Sequence, residues 1–218
     1  VDLNAVLTTE EKIEELKTTP ASFLGSCRYK LPKDFSDPTV FEQIFSFFKS
    51  HHIKYFFYIG GNDSMDTVAK LSEYAAHIAY DIRIIGVPKT IDNDLAVTDH
   101  TPGFGSAAKY IAASVKEVAR DSDVYDLKSV TIIEIMGRHA GWLTAASALA
   151  RCENSIAPHL IYLPEVPFSY ERFSEDVKRV QKTHSNVIVC VSEGIKAEDG
   201  TFVCETASSG LTDAFGHK

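Results

Sequence analysis

Tyr55-Phe56-Phe57-Tyr58-Ile59-Gly60-Gly61-Asn62-Asp63-Ser64-Met65-Asp66-Thr67 is the stretch on which the reading of the fold turns. An aromatic and β-branched run ends in two glycines, and polar residues then open a helical pattern. That order predicts a strand, a tight turn and a helix start. Glycines let a ligand approach the backbone closely, and a helix N-terminus offers free N–H groups and a positive dipole end. The layout therefore suits a phosphate cradle. Standing alone, Gly-Gly is common in such turns for steric reasons, and Asp63 or Ser64 is equally readable as a plain helix N-cap.

A second motif follows a second β-branched run: Gly86-Val87-Pro88-Lys89-Thr90-Ile91-Asp92-Asn93-Asp94. Two carboxylates stand two residues apart, beside a lysine and a threonine. An isolated Asp-Asn-Asp reads as a surface turn. Beside a phosphate cradle it reads as a proton acceptor next to an anion clamp, the pairing that phosphoryl transfer to a hydroxyl requires.

Working outward, the periodicity predicts helices at Glu10–Lys17, with Thr8 or Thr9 as cap, and at Val40–His51, Ser64–Ala79, Phe104–Arg120, Ala140–Cys152 and Tyr170–Thr183. Strands are predicted at Lys54–Ile59, Ile82–Val87, Ser129–Met136, Leu160–Leu163 and Val187–Val191, the third buried on both faces. Residues 20–38 read as loop. Strands alternating with helices give an α/β fold, a mostly parallel sheet with helices on both faces. In such sheets ligands sit outside the carboxyl ends of the strands. Gly60, Asp92 and Gly137 all follow strand ends, so three loops converge on one edge.

Composition narrows the class. The 218 residues are 44% hydrophobic and 24% charged, the balance of an ordinary globular chain. A net charge of −8 argues against nucleic acid as partner. No apolar run is long enough to span a membrane. The four cysteines lack metal-site spacing, and Cys152 and Cys190 read as buried, reduced thiols.

The two motifs together resemble the phosphofructokinase family. The resemblance continues through Gly25-Ser26-Cys27-Arg28, Thr98-Asp99-His100-Thr101-Pro102-Gly103-Phe104-Gly105-Ser106-Ala107, Ile133-Glu134-Ile135-Met136-Gly137-Arg138-His139-Ala140-Gly141-Trp142 and Ser192-Glu193-Gly194. The segments fall in family order from about Ala21 to the last residue.

The resemblance implies a role for each position. Asp92 is the general base for the 1-hydroxyl of fructose 6-phosphate, Asp94 tunes it, and Thr90 holds the transferring phosphoryl group. Gly60, Gly61, Asp63, Ser64, Lys89 and Arg28 bind the phosphoryl donor. Met136, Gly137, Arg138 and Glu193 bind the sugar phosphate, with Met136 also partly core. His139 is read as a local histidine. Mg2+ is the implied cofactor. Asn62 stands where most members carry a metal-binding Asp, and a neutral amide is the weaker ligand, which leaves Asp63 or Asp92 to carry that duty.

ATP-using members of the family usually carry glycine at the positions of Asp63 and Lys89. Both changes resemble the pyrophosphate-dependent branch, and the physics agrees. Asp63 adds bulk and like charge where a nucleotide's α-phosphate would lie, and Lys89 compensates a compact diphosphate. The implied activity is reversible transfer from pyrophosphate to fructose 6-phosphate, a glycolytic step. The alternatives are an ATP-dependent 6-phosphofructokinase and a non-catalytic regulatory subunit of the same family. A cytoplasmic homo-oligomer, dimer or tetramer, is expected. Ser129 and Lys128 stand where ATP-type members often carry an arginine that reaches a neighbouring subunit. The family's first glycine loop and a later Arg/His segment do not occur in this sequence, so the chain reads as residues 1–218 of an internal portion. Residues 54–140 would carry the donor and catalytic loops, and 141–218 part of the sugar-phosphate region.

Overall fold

The computed structural model of the chain describes residues 3–20, 23 and 29–206. The loop containing Arg28 lies outside them. Two short helices come first, α1 (Leu3–Val6) and α2 (Glu10–Glu15), the latter capped by Thr9 Oγ1, which accepts from Lys12 N. Then follow α3 (Thr39–Ser50), β1 (Tyr55–Gly60), α4 (Asn62–His77), β2 (Arg83–Pro88), α5 (Phe104–Ser122) and β3 (Ser129–Ile135). The chain continues through α6 (Trp142–Ala146), β4 (Leu160–Tyr162), α7 (Tyr170–Val180), β5 (Asn186–Ser192) and α8 (Val203–Thr206).

All strand pairings in the named strands are parallel. β1 pairs with β2, from Tyr55 opposite Arg83 to Gly60 opposite Pro88. The second sheet has the order β3-β5-β4. β5 is its central strand and is almost wholly buried, as a parallel strand covered on both faces must be. Its side chains alternate between two cores. Val187 and Val189 pack with Phe173 and Val177 of α7, while Ile188 and Cys190 pack with Val115 of α5 and Leu143 of α6. A third core, aromatic in character, joins Phe41, Phe45 and Phe48 of α3 to Leu71 and Tyr74 of α4, with Phe56 and Ile84 packed from the strands.

Several sequence expectations change. β3 is not buried on both faces: Val130 and Ile132 are exposed, and only alternate residues face α5 and α6. β1 likewise leaves Tyr55, Phe57 and Ile59 exposed, so helices cover one face of the β1–β2 pair among the described residues. The expected helix from Ala140 to Cys152 shortens to α6 and a 3₁₀ turn, Ser147–Ala150. Ser147 Oγ donates to Thr144 O at 2.6 Å, and such back-bonding to the preceding turn competes with the α-helical ladder. Cys152 follows that turn in an exposed loop, whereas Cys190 is buried as expected.

Candidate active site

The first of the site's loops forms where β1 ends. Lys89 N donates to Gly60 O at 2.9 Å, which ties the end of β2 to the turn after β1. A Cβ on Gly60 would overlap the Ser64 side chain, so only glycine allows α4 to start this close to the strand. Helix α4 begins at Asn62, two residues before the sequence-based start. Its N-cap is Gly61, without any side-chain cap, so neither Asp63 nor Ser64 fills the N-cap role. The N–H groups of the first turn are thus left for a ligand to satisfy.

The second loop is shaped from within. Asn93 is buried and adopts φ 59°, in the left-handed region that asparagine tolerates better than most residues. Both ends of its amide are used: Nδ2 donates to Asp99 O at 3.1 Å, and Oδ1 accepts from Thr101 N at 2.9 Å. Asp92 N donates to Thr90 Oγ1 at 3.0 Å. These bonds hold Asp92 and Asp94 on either side of an anchored residue. One carboxylate oxygen of each, Oδ1, is buried and has no hydrogen-bond partner among the described residues.

Burial is the largest cause that pushes the Asp92 carboxyl above its usual range, followed by the charges of Asp94 and Glu193. The Thr90 hydrogen bond and the Lys89 ammonium oppose the rise. The neighbouring carboxylate expected from sequence is therefore present but second to burial.

The third loop leaves β3. Gly137 has φ 119°, and a Cβ there would run into Ala140 O, so the chain folds back on itself. Glu193 Oε1 accepts from Gly137 N at 3.1 Å, and Ser192 Oγ donates to Gly137 O at 2.8 Å. Arg138 and His139 project from this turn, both exposed. His139 lies edge-on to Phe202, with ring centroids 5.9 Å apart.

These loops enclose a cavity of ≈ 550 Å³ lined by Gly61, Asn62, Asp63, Ser64, Asp92, Asp94, Met136, Arg138 and His139. The structure thus brings most of the sequence-predicted residues together. Gly60, Lys89, Thr90, Gly137 and Glu193 are not part of that lining, the last two being bonded to each other. Met136 is 58% exposed rather than part of the core. Two residues were not anticipated as contributors. His139 lines the cavity, and Lys30 Nζ stands 4.0 Å from Asp63 Oδ1. Lys30 follows the Arg28 loop, and its charge was the only signal in the sequence. Both partners are largely exposed, so this ion pair contributes charge balance more than stability.

The unpartnered oxygens of Asp92 and Asp94 are hard donors of the kind magnesium accepts. Among the described residues no three His, Cys, Asp or Glu side chains are placed to hold a metal by themselves. Magnesium commonly uses one or two carboxylates and takes its other ligands from substrate phosphates and water, so the residues present fit it.

The phosphofructokinase family model matches residues 2–216. The chain is 45% identical over 212 residues to pyrophosphate–fructose 6-phosphate 1-phosphotransferase of Halomonas elongata, covering 96% of this chain and 50% of the relative. It is 47% identical over 210 residues to the protein of the same name from Rhodospirillum rubrum, covering 96% of this chain and 50% of the relative. The chain spans about half the length of these relatives. A crystal structure of pyrophosphate-dependent phosphofructokinase from Nitrosospira multiformis superposes with a TM-score of 0.73 at 39% identity, covering 93% of this chain and 52% of that one.

Proposed function

The chain belongs to the phosphofructokinase family, and from that premise we propose that the whole protein transfers a phosphoryl group reversibly from pyrophosphate to the 1-hydroxyl of fructose 6-phosphate. The observation that carries the choice of donor is the placement of Asp63 on the uncapped first turn of α4, beside a turn whose Gly60 carbonyl is bonded to Lys89 N. A nucleotide would have to bring its α-phosphate against the Asp63 carboxylate, whereas a compact diphosphate gains the Lys89 ammonium and needs no further room. The names of the relatives at 45% and 47% identity support the same donor.

In this reading the donor occupies the Gly60–Ser64 turn, where free N–H groups of α4 receive its oxygens, with Lys89 and Arg28 neutralising charge. Arg138, Glu193 and Met136 hold the sugar phosphate. Asp92 accepts the proton of the 1-hydroxyl as that oxygen attacks the terminal phosphorus. The bridging P–O bond breaks, and inorganic phosphate leaves with the bridging oxygen. Thr90 hydrogen-bonds the group in transit, and burial, the largest cause, keeps the pKa of the base raised. Asp94 and Asp63 would hold Mg2+, which offsets negative charge on the diphosphate when bound, and the Asp92 carboxylate is kept for the proton. Residues 54–140 then carry the donor and catalytic loops, and 141–218 contribute to sugar-phosphate binding. A cytoplasmic dimer or tetramer working in glycolysis is the setting this activity implies.

Assay of the full-length protein with fructose 6-phosphate and either pyrophosphate or ATP, with and without magnesium, tests the reading. Turnover with pyrophosphate, dependent on magnesium and negligible with ATP at equal concentration, is expected. Comparable turnover with both donors overturns the donor assignment, and no turnover with either overturns the function.

A further inference from the structure

We propose that Glu165 is a positioning residue for the sugar-phosphate loop: its carboxylate holds the far end of the Gly137–Gly141 turn and thereby aims Arg138. The inference rests on the function proposed above.

Glu165 lies 24 positions beyond Gly141, in the segment between β4 and α7. Its Oε1 accepts from Gly141 N at 2.7 Å, a short, charge-assisted bond. The contact is built rather than incidental. A Cβ on Gly141 would meet Glu165 Oε2 at 2.6 Å, Pro164 Cδ at 2.9 Å and Leu163 Cδ2 at 3.1 Å, so glycine is what admits the carboxylate. The segment carrying Glu165 is itself held in place, since Phe168 N donates to Lys196 O at 2.7 Å and the Phe168 ring packs against Tyr162 and Phe173.

The other end of the turn has a matching device, Glu193 Oε1 on Gly137 N. Two carboxylates from different segments therefore grip the first and last residues of one five-residue turn. Between the grips lies Arg138. Among the described residues its guanidinium has no hydrogen bond or ion pair. No side-chain partner among the described residues holds it, so the point from which Arg138 reaches is set by its backbone, and the backbone is held by the two grips. A displacement of about 1 Å in a positioning group can cost as much as 10²-fold in function.

The test uses the full-length enzyme and two variants, Glu165→Ala and Glu165→Gln. Alanine removes the acceptor, and glutamine keeps an oxygen that can accept from Gly141 N. Expected for Glu165→Ala is a KM for fructose 6-phosphate raised about tenfold, with kcat and the KM for pyrophosphate within about twofold of wild type. Glu165→Gln should restore most of that loss. Hydrogen exchange of the unliganded protein supplies a readout independent of activity: amides across 137–141 should exchange faster in Glu165→Ala and at near the wild-type rate in Glu165→Gln. An unchanged sugar KM in Glu165→Ala, a matching fall in all kinetic constants, or a glutamine variant as poor as alanine overturns the assignment. If the wild type itself fails to turn over fructose 6-phosphate, the proposed function falls and this role with it. An active wild type with an indifferent Glu165→Ala overturns this role alone.

Discussion

Gly194 backs directly onto Arg138: a Cβ built on Gly194 would overlap the Arg138 carbonyl oxygen and crowd its carbonyl carbon. The obstacle is backbone on both sides, which cannot swing away as a side-chain tip can. Gly194→Ala should therefore displace the Arg138 turn. The expected outcome is a loss of about 1–3 kcal/mol in stability, typical of overpacking, together with weaker sugar-phosphate binding. Gly105→Ala is the control. A Cβ there meets nothing within 4 Å, and the residue lies in the first turn of α5, so alanine should be neutral or add up to ~1 kcal/mol. Thermal denaturation of the two variants side by side checks the contrast.

Asp92 is expected to trade stability for chemistry. Its carboxyl titrates above the usual range, so the folded state holds the proton more tightly than the unfolded state does. Stability attached to this group is then full at pH values below the unfolded pKa and declines as pH rises through the raised folded value. Asp92→Asn should melt higher than wild type at neutral pH, with the gap closing in acid. The same variant should lose kcat by about 10²–10⁴-fold while the KM for fructose 6-phosphate changes little. Wild-type kcat/KM should rise with pH through an apparent pKa above that of an ordinary aspartate. A variant that melts lower at pH 7 and turns over within threefold of wild type would remove Asp92 from the base role.

How much of this was readable in advance depends on the range of the cause. The β1–α4 turn was legible because it is local: apolar run, two glycines, polar helix start. The turn residues Gly60, Asp92 and Gly137 were legible as strand ends because periodicity reports strand ends. The bond from Glu165 to Gly141 was not, since no local pattern links residues so far apart in sequence. Asn93 was visible only as part of a turn triplet. Its two backbone partners, Asp99 and Thr101, come from a loop whose return path has no periodic signal. Val130 and Ile132 misled, because β-branched residues look the same in a strand covered on one face or on two.

Donor choice can be moved. Asp63→Gly removes bulk and charge from the first turn of α4, and Lys89→Gly removes the ammonium that acts on Asp92. The double variant should shift the ratio of kcat/KM for ATP to kcat/KM for pyrophosphate toward ATP. The exposed Lys30 near Asp63 loses its partner in that variant and becomes free to meet added phosphate. A ratio that does not move assigns donor choice to other residues.

His159 predicts a separate acid sensitivity. Its Nδ1 accepts from Ile188 N at 2.9 Å, while the His159 backbone N–H donates to Ile188 O at 2.8 Å. The ring thus extends the pairing of β4 with β5 as a neutral acceptor. Burial first, and then His184, hold its pKa below the ordinary value, with Arg151 adding to that and Asp123 and the bond from Ile188 opposing it. For a depressed histidine, stability is present above the unfolded pKa of about 6.5 and is lost as pH falls through the folded value. The melting temperature should drop below pH ~6.5, and His159→Gln should flatten that part of the curve while lowering the plateau. An equal acid slope in the variant would place the sensitivity elsewhere.

Among the described residues the aromatic core of α3 and α4 and the cores around β5 share no member. The loop bearing Asp92 runs between the elements that build them. Melting of one need not drag the other along, so calorimetry of the ligand-free protein should record a broadened or split endotherm. A diphosphate seated on α4 and a sugar phosphate held by Arg138 would stitch the halves together. Saturation with both should merge the endotherm into one sharper peak, making thermal cooperativity itself a gauge of whether the Asp92 loop is engaged.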